Sequence, residues 1–136
     1  MFRRILAPLL ALSIAQAGLP VTAGTTMDRV KATGIARVCI WPDYYGVTFR
    51  SPRTEQLSGI DIDLSSALAK ELGVKISYVD SSFSSLIADL TSDRCDVAMF
   101  AIAMLPQRMA HLRFTRPYLS SDIYAITTMS SAVIKE

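Results

Sequence analysis

The chain has 136 residues, of which 51% are hydrophobic and 19% charged, with 6 Gly and 6 Pro. Such a chain suits one globular domain, is too apolar for intrinsic disorder, and lacks the glycine and proline of a collagen-like or fibrous class. A formal net charge of +2 with no basic run offers no footprint for nucleic acid.

Residues 1–23 read as a cleaved signal peptide. Met1-Phe2-Arg3-Arg4 is a short basic start and Ile5 to Ala15 is an apolar run. Ala15-Gln16-Ala17 and Val21-Thr22-Ala23 are small-x-small cleavage sites, with Ala23 the expected cut. The apolar run is shorter than the roughly 20 residues of a membrane span, and Pro8 interrupts it. Ordinary secretory export is expected, because Arg3-Arg4 lacks the rest of a twin-arginine pattern. Cleavage removes Arg3 and Arg4 from the 14 basic residues and leaves 12 against 12 acidic, a net charge of zero. No global field then steers the chain toward DNA or anionic lipid, and recognition must come from a local site.

Beyond Gly24, Val30 to Thr33 ends a polar leader. Ala36 to Trp41 predicts a first strand, stopped by Pro42, and Asp43 to Gln56 reads as a loop. A helix follows Gly59. Asp61 is its candidate N-cap, Leu64, Leu68 and Leu72 with Ala67 form its apolar stripe, and Gly73 closes it. Val74 to Val79 alternates as a second strand. Phe83, Leu86, Ile87 and Leu90 recur at helical spacing. Val97 to Ile102 is a continuous apolar run, as in a strand buried on both faces of a parallel sheet. Pro106 suits the first position of a third helix reaching about Leu112. Phe114 to Tyr118 is extended or turning, Ile123 to Met129 is a last strand, and 130–136 is a polar tail.

This β-α-β-α-β-α-β order predicts an α/β fold, an open, mostly parallel sheet flanked by helices on both faces. Ligands of such sheets collect at the carboxyl ends of the strands, here near Trp41 to Tyr45, Asp80 to Phe83 and Phe100 to Arg108. Cys39 and Cys95 are either a disulfide, permitted by export, or two small buried hydrophobes. No His lies near them, so no metal site is expected.

Arg108, in the first turn of the third helix, can take a carboxylate through two parallel hydrogen bonds, or can simply be solvated. Trp41, Tyr44, Tyr45 and Phe83 stand at strand ends, where aromatics either sandwich an organic ligand or pack as core. Asp61 and Asp63 are spaced like an acid pair, but a helix start favours acidic residues for its free amides. His111, the single histidine, reads as a helix residue at or near the surface. Neither a phosphate-binding loop, a dinucleotide fingerprint, a nucleophile elbow nor a zinc-protease motif occurs in context, so no catalytic residue and no cofactor is expected.

Several segments, in order, resemble the family 3 extracellular solute-binding proteins, periplasmic components of polar amino-acid ABC transporters. They are Leu57-Ser58-Gly59-Ile60-Asp61-Ile62-Asp63-Leu64, Leu72-Gly73-Val74-Lys75-Ile76, Phe83-Ser84-Ser85-Leu86-Ile87, Arg94-Cys95-Asp96-Val97-Ala98-Met99, Pro106-Gln107-Arg108 and Phe114-Thr115-Arg116-Pro117-Tyr118. The resemblance runs from about Arg37 to Met129. It implies a periplasmic-binding-protein-like lobe over residues 24–129, with 130–136 at the hinge. In such proteins two lobes close on a small ligand and dock on an inner-membrane ABC-transporter permease.

The resemblance also assigns roles. Tyr44 matches the ligand-contacting aromatic after the first strand, Phe83 the second aromatic, and Arg108 the arginine that holds a ligand carboxylate. The hydroxyl residues that usually flank that carboxylate, or cap the following helix, are replaced by Ala101, Ala103 and Leu105. The acidic position of the first loop falls on Trp41. These departures put a standard α-amino acid in doubt, and an apolar or aromatic carboxylate or another organic anion fits at least as well. The family continues through a second lobe, so this chain reads as a truncated first lobe whose binding is impaired.

The expected function is therefore periplasmic binding of a small polar or carboxylate-bearing solute for uptake. The alternative is an enzyme on the same scaffold that resembles cyclohexadienyl dehydratase. A sensory module would need a membrane span after the lobe, and an inert remnant is the remaining reading.

Overall fold

A computed structural model describes residues 25–122. The signal peptide expected over 1–23, the strand expected over 123–129 and the tail expected over 130–136 lie outside the described residues. The elements run α1 (Thr26–Thr33), β1 (Ile35–Ile40), β2 (Asp43–Tyr44), β3 (Thr48–Arg50), β4 (Leu57–Ser58), α2 (Ile60–Leu72), β5 (Lys75–Asp80), α3 (Leu86–Thr91), β6 (Val97–Ala98) and α4 (Pro106–Met109). β1 is the centre of a three-stranded sheet, ordered β5-β1-β6 and parallel throughout. Register pairs Ile40 with Asp80 and Cys39 with Ala98, so the three strands end at one level.

Side chains alternate across a strand, and two apolar clusters follow that alternation. Val38 and Ile40 point to one face with Ile76, Tyr78, Val97 and Met99, where Ile62 of α2 covers them. Cys39 points to the other face with Val79, Ala98 and Phe100, covered by Leu86 and Leu90 of α3. Helices thus lie on both faces, as the sequence pattern predicts. Leu86 and Phe100 are fully buried, each contributing about 2 kcal/mol of transfer free energy. On the same face Cys39 is bonded to Cys95, with their Cα atoms 5.6 Å apart, and this ties β1 to the turn between α3 and β6.

Five expectations are corrected by tertiary contacts. The polar leader is a helix: Thr25 accepts from the Asp28 N–H and Asp28 accepts from the Thr25 N–H, a capping box that starts α1. Arg29 of α1 and Arg37 of β1 then converge on Asp96, whose carboxylate also accepts the Arg37 N–H at 2.8 Å. The loop over 43–56 holds β2 and β3, which with β4 form a small antiparallel sheet in the order β2-β3-β4. The stripe of α2 is out of phase: Leu64 and Leu68 are exposed, while Ile62, Ser65 and Ala69 are buried. Ser65 tolerates burial because its hydroxyl donates to the Ile62 carbonyl at 2.8 Å and shares a hydrogen bond with Tyr78. The second helix begins at Leu86, with Phe83 in the turn before it. Lastly, the apolar run over 97–102 forms only a two-residue strand, with the chain bending at Ala101, whose φ is 50°, and the third helix is a single turn.

Candidate functional site

The common level of the strand ends brings three segments together. The Ser81 N–H donates to the Ile40 carbonyl at 2.8 Å, and the Met99 N–H to the Cys39 carbonyl at 3.0 Å. Trp41 leaves β1 with its carbonyl held by the buried Thr48 hydroxyl at 2.6 Å. After β5, Ser82 and Ser85 exchange hydrogen bonds, each hydroxyl accepting the other's N–H at 3.1 Å. That closed turn projects Phe83 outward. Ser81 donates to Asp89 at 2.6 Å and Arg94 to the same carboxylate at 2.7 Å. Chiefly the Ser81 hydroxyl, and then Arg94, hold the Asp89 carboxyl below its ordinary value, against the burial that raises it.

Four rings meet there. Trp41 lies 5.3 Å from Tyr44 and 5.2 Å from Phe83 between centroids, and Phe83 lies 5.1 Å from Phe100. Arg108 reaches the same cluster, its Cζ 5.2 Å from the Phe83 centroid, while one guanidinium nitrogen donates to the Ala103 carbonyl at 3.1 Å. A cation over an aromatic face is attracted by the ring quadrupole. Trp41, Tyr44, Phe83, Arg108 and Ala103 are thus neighbours. Tyr45 is not among them: it is 82% exposed and packs on Phe49. His111 is exposed just beyond α4. The rings pack edge-on or tilted against one another. Tyr44 and Phe83 are 6.2 Å apart at 71°, whereas a ring slipped between two others needs about 7 Å and near-parallel faces.

Leu105 precedes α4 and, as an apolar residue, offers it no side-chain cap. Asp61 is a larger correction. It lies inside the first turn of α2, where Gly59 occupies the N-cap position and no side chain caps the helix. The Asp61 carboxylate is fully buried. It accepts from the Ala101 N–H at 2.7 Å and from the Tyr118 hydroxyl at 2.9 Å. This role is not legible in the sequence, because the partners lie 40 and 57 residues away in the chain. The serine spacing over 81–85 is a readable signal for the turn that presents Phe83. A cavity of about 770 Å³ lies against Tyr44, Ala101 and Ala103 and is bounded by residues 112–121. Trp41, Phe83 and Arg108 stand outside its lining.

An open α/β lobe with polar and aromatic groups gathered at its parallel strand ends has the architecture of a small-molecule binding module. Comparison with known proteins is more specific. Residues 36–134 match the bacterial extracellular solute-binding proteins, family 3, and the chain belongs to that family. It is 30% identical to the cyclohexadienyl dehydratase of Pseudomonas aeruginosa, over 95% of this chain and 48% of that protein. It is 29% identical to a probable amino-acid ABC transporter-binding protein of Haemophilus influenzae, over 83% of this chain and 44% of the relative. The chain therefore spans about half the length of the curated relatives it matches. Among solved structures, the arginine-bound form of domain 1 from TmArgBP, the arginine-binding protein of T. maritima, superposes with a TM-score of 0.63 at 28% identity. That match covers 67% of this chain and 71% of that domain.

Proposed function

We propose that this chain is a periplasmic binding lobe for a small carboxylate-bearing solute, an amino acid or related organic anion, serving uptake through an ABC-transporter permease. The observation that carries the reading is the Arg108 guanidinium at the edge of the Trp41–Tyr44–Phe83 wall. Arg108 supplies the charge-assisted hydrogen bonds for the carboxylate, and the rings supply apolar surface for the rest of the ligand. Ala101 and Ala103 contribute backbone rather than hydroxyl groups to the same edge. The arginine-bound domain 1 of TmArgBP supports binding by one lobe, since it matches this chain over most of its own length. Export through the signal peptide at 1–23 is part of the same proposal.

The test is calorimetric titration of the common amino acids and a set of aromatic and aliphatic carboxylates into this chain and into a full-length homologue. Saturable binding is expected, weakened by Arg108→Met roughly ten- to a hundredfold, the range of a charge-assisted hydrogen bond. Silence from both proteins across the panel overturns the reading. Similarity to the Pseudomonas dehydratase supports a second reading, elimination on a cyclohexadienyl carboxylate. Formation of phenylpyruvate from prephenate decides between them.

A further inference from the structure

We propose that Asp61 is the positioning residue of the Arg108 site, clamping both ends of the segment that carries the guanidinium. This rests on the reading of Arg108 as the anion-holding group, but it can be tested without a ligand. The clamp is visible in two hydrogen bonds. One carboxylate oxygen accepts the Ala101 N–H at 2.7 Å and the other accepts the Tyr118 hydroxyl at 2.9 Å. Residues 101 to 118, with α4 and Arg108 between them, are therefore closed at both ends on a single side chain.

Each link has a physical reason. Asp61 is wholly buried, and a buried carboxylate is tolerated only when its oxygens are hydrogen-bonded. It also lies in the first turn of α2, where the free amides favour a negative group. Ala101 is an alanine at φ 50°, a conformation that a residue with a Cβ keeps only where its surroundings hold it. The Asp61 carboxylate is the group that holds its N–H. Two residues on, the Ala103 carbonyl accepts both the Leu105 N–H, at 3.0 Å, and the Arg108 guanidinium, at 3.1 Å. The path from carboxylate to guanidinium thus runs through one bent corner of backbone. At the far end, the half-exposed Tyr118 donates its hydroxyl to the other carboxylate oxygen, and partial burial and the Asp61 carboxylate push the phenol above the ordinary tyrosine value.

The experiment compares the full chain with Asp61→Ala, Asp61→Asn and Tyr118→Phe by NMR. It reads hydrogen exchange at the Ala101 amide and the ring-current shift that Phe83 imposes on the Arg108 side-chain protons. Asp61→Ala is expected to speed Ala101 exchange at least tenfold and to abolish most of the Arg108 shift. The β1 amides should keep their protection. Asp61→Asn retains one acceptor and can donate to the Tyr118 oxygen, so it should restore both signals. Tyr118→Phe frees one end and should reduce the Arg108 shift. Wild-type signals at Ala101 and Arg108 in Asp61→Ala overturn the proposal, as does an equal loss of protection in β1, which would mark a purely structural role. If Asp61→Ala does not fold, Tyr118→Phe decides: an unchanged Arg108 shift there refutes the clamp. Phenylacetate, titrated against Trp41 fluorescence, separates this proposal from the one beneath it. Silence of the wild-type chain toward phenylacetate counts against the binding reading and leaves the NMR outcome for Asp61 intact. Binding that Asp61→Ala leaves as tight as wild type counts against the clamp.

Discussion

Cutting the bond between Cys39 and Cys95 is expected to cost a large share of the stability of the lobe. The two residues are 56 apart in sequence, and the small sheet, α2, β5 and α3 all lie on the chain between them. In the chain-entropy account, closing a loop of that length removes about 14 cal/mol/K from the unfolded ensemble, or about 4 kcal/mol at 25 °C. Domains of this size are commonly stable by only about 5–15 kcal/mol in total. Replacing both residues with alanine adds a packing loss on the order of 1 kcal/mol for each sulfur removed, because Cys39 is 0% and Cys95 2% exposed. Reduction keeps the sulfurs in place and so isolates the cross-link. Urea denaturation of oxidised and reduced chain, followed by Trp41 fluorescence, gives the comparison. With a slope of about 1.5 kcal/mol/M, reduction should lower the midpoint by roughly 2–3 M, or leave the chain unfolded in buffer. Midpoints within about half a molar of each other would refute the reasoning. So would two free thiols titrated in denatured, unreduced protein.

Three further outcomes are expected. Gly59 has φ 128°, and a Cβ there would stand 2.3 Å from the Val47 carbonyl oxygen and 2.5 Å from its carbon. These are backbone atoms that no rotamer change can move, so Gly59→Ala should cost roughly 2 kcal/mol or more in urea denaturation, and a loss under about 1 kcal/mol contradicts the contact. Leu64→Lys and Leu68→Lys should each change stability by less than about 1 kcal/mol, because both side chains are exposed. A loss of several kcal/mol in thermal or urea denaturation would restore the core role that their spacing suggests. In a tyrosinate absorbance titration, Tyr118 should ionise later than the other tyrosines, since burial first and Asp61 second raise it above the ordinary value of about 10. The folded chain holds that proton more tightly, so its stabilising effect is present below pH about 10 and is lost as pH rises toward the folded value. Tyr118→Phe should remove the late phase, and identical curves for the two proteins contradict the contact between the Tyr118 hydroxyl and Asp61.

Local patterns are legible where the chain carries its own periodicity. The apolar run over 36–41, stopped by Pro42, and the alternation over 74–79 mark two parallel strands within a residue or so, because a pleated strand sends successive side chains to opposite faces. Gly73 marks the end of α2, where the backbone turns left-handed at φ 66°. Pro106 marks the start of α4. The Thr25–Asp28 spacing that caps α1 is also present in the sequence, although the segment around it reads as a polar leader. Placement of Trp41, Tyr44, Phe83 and Arg108 near one another follows from the rule that parallel strands end together.

What sequence alone determined, then, is the order of the three parallel strands and the helices that follow them, the class of fold and the level at which the strand ends gather their rings and cation. Tertiary structure decided which stripe of α2 faces inward, where the buried Ser65 hydroxyl meets Tyr78 of β5. It also decided what Asp61 is. A carboxylate at a helix start looks like a cap from its neighbours in sequence. Its actual partners are the amide of Ala101 and the hydroxyl of Tyr118, 40 and 57 residues away. Period and propensity act over a few residues, whereas a buried charge is settled by whichever donors the folded chain carries to it.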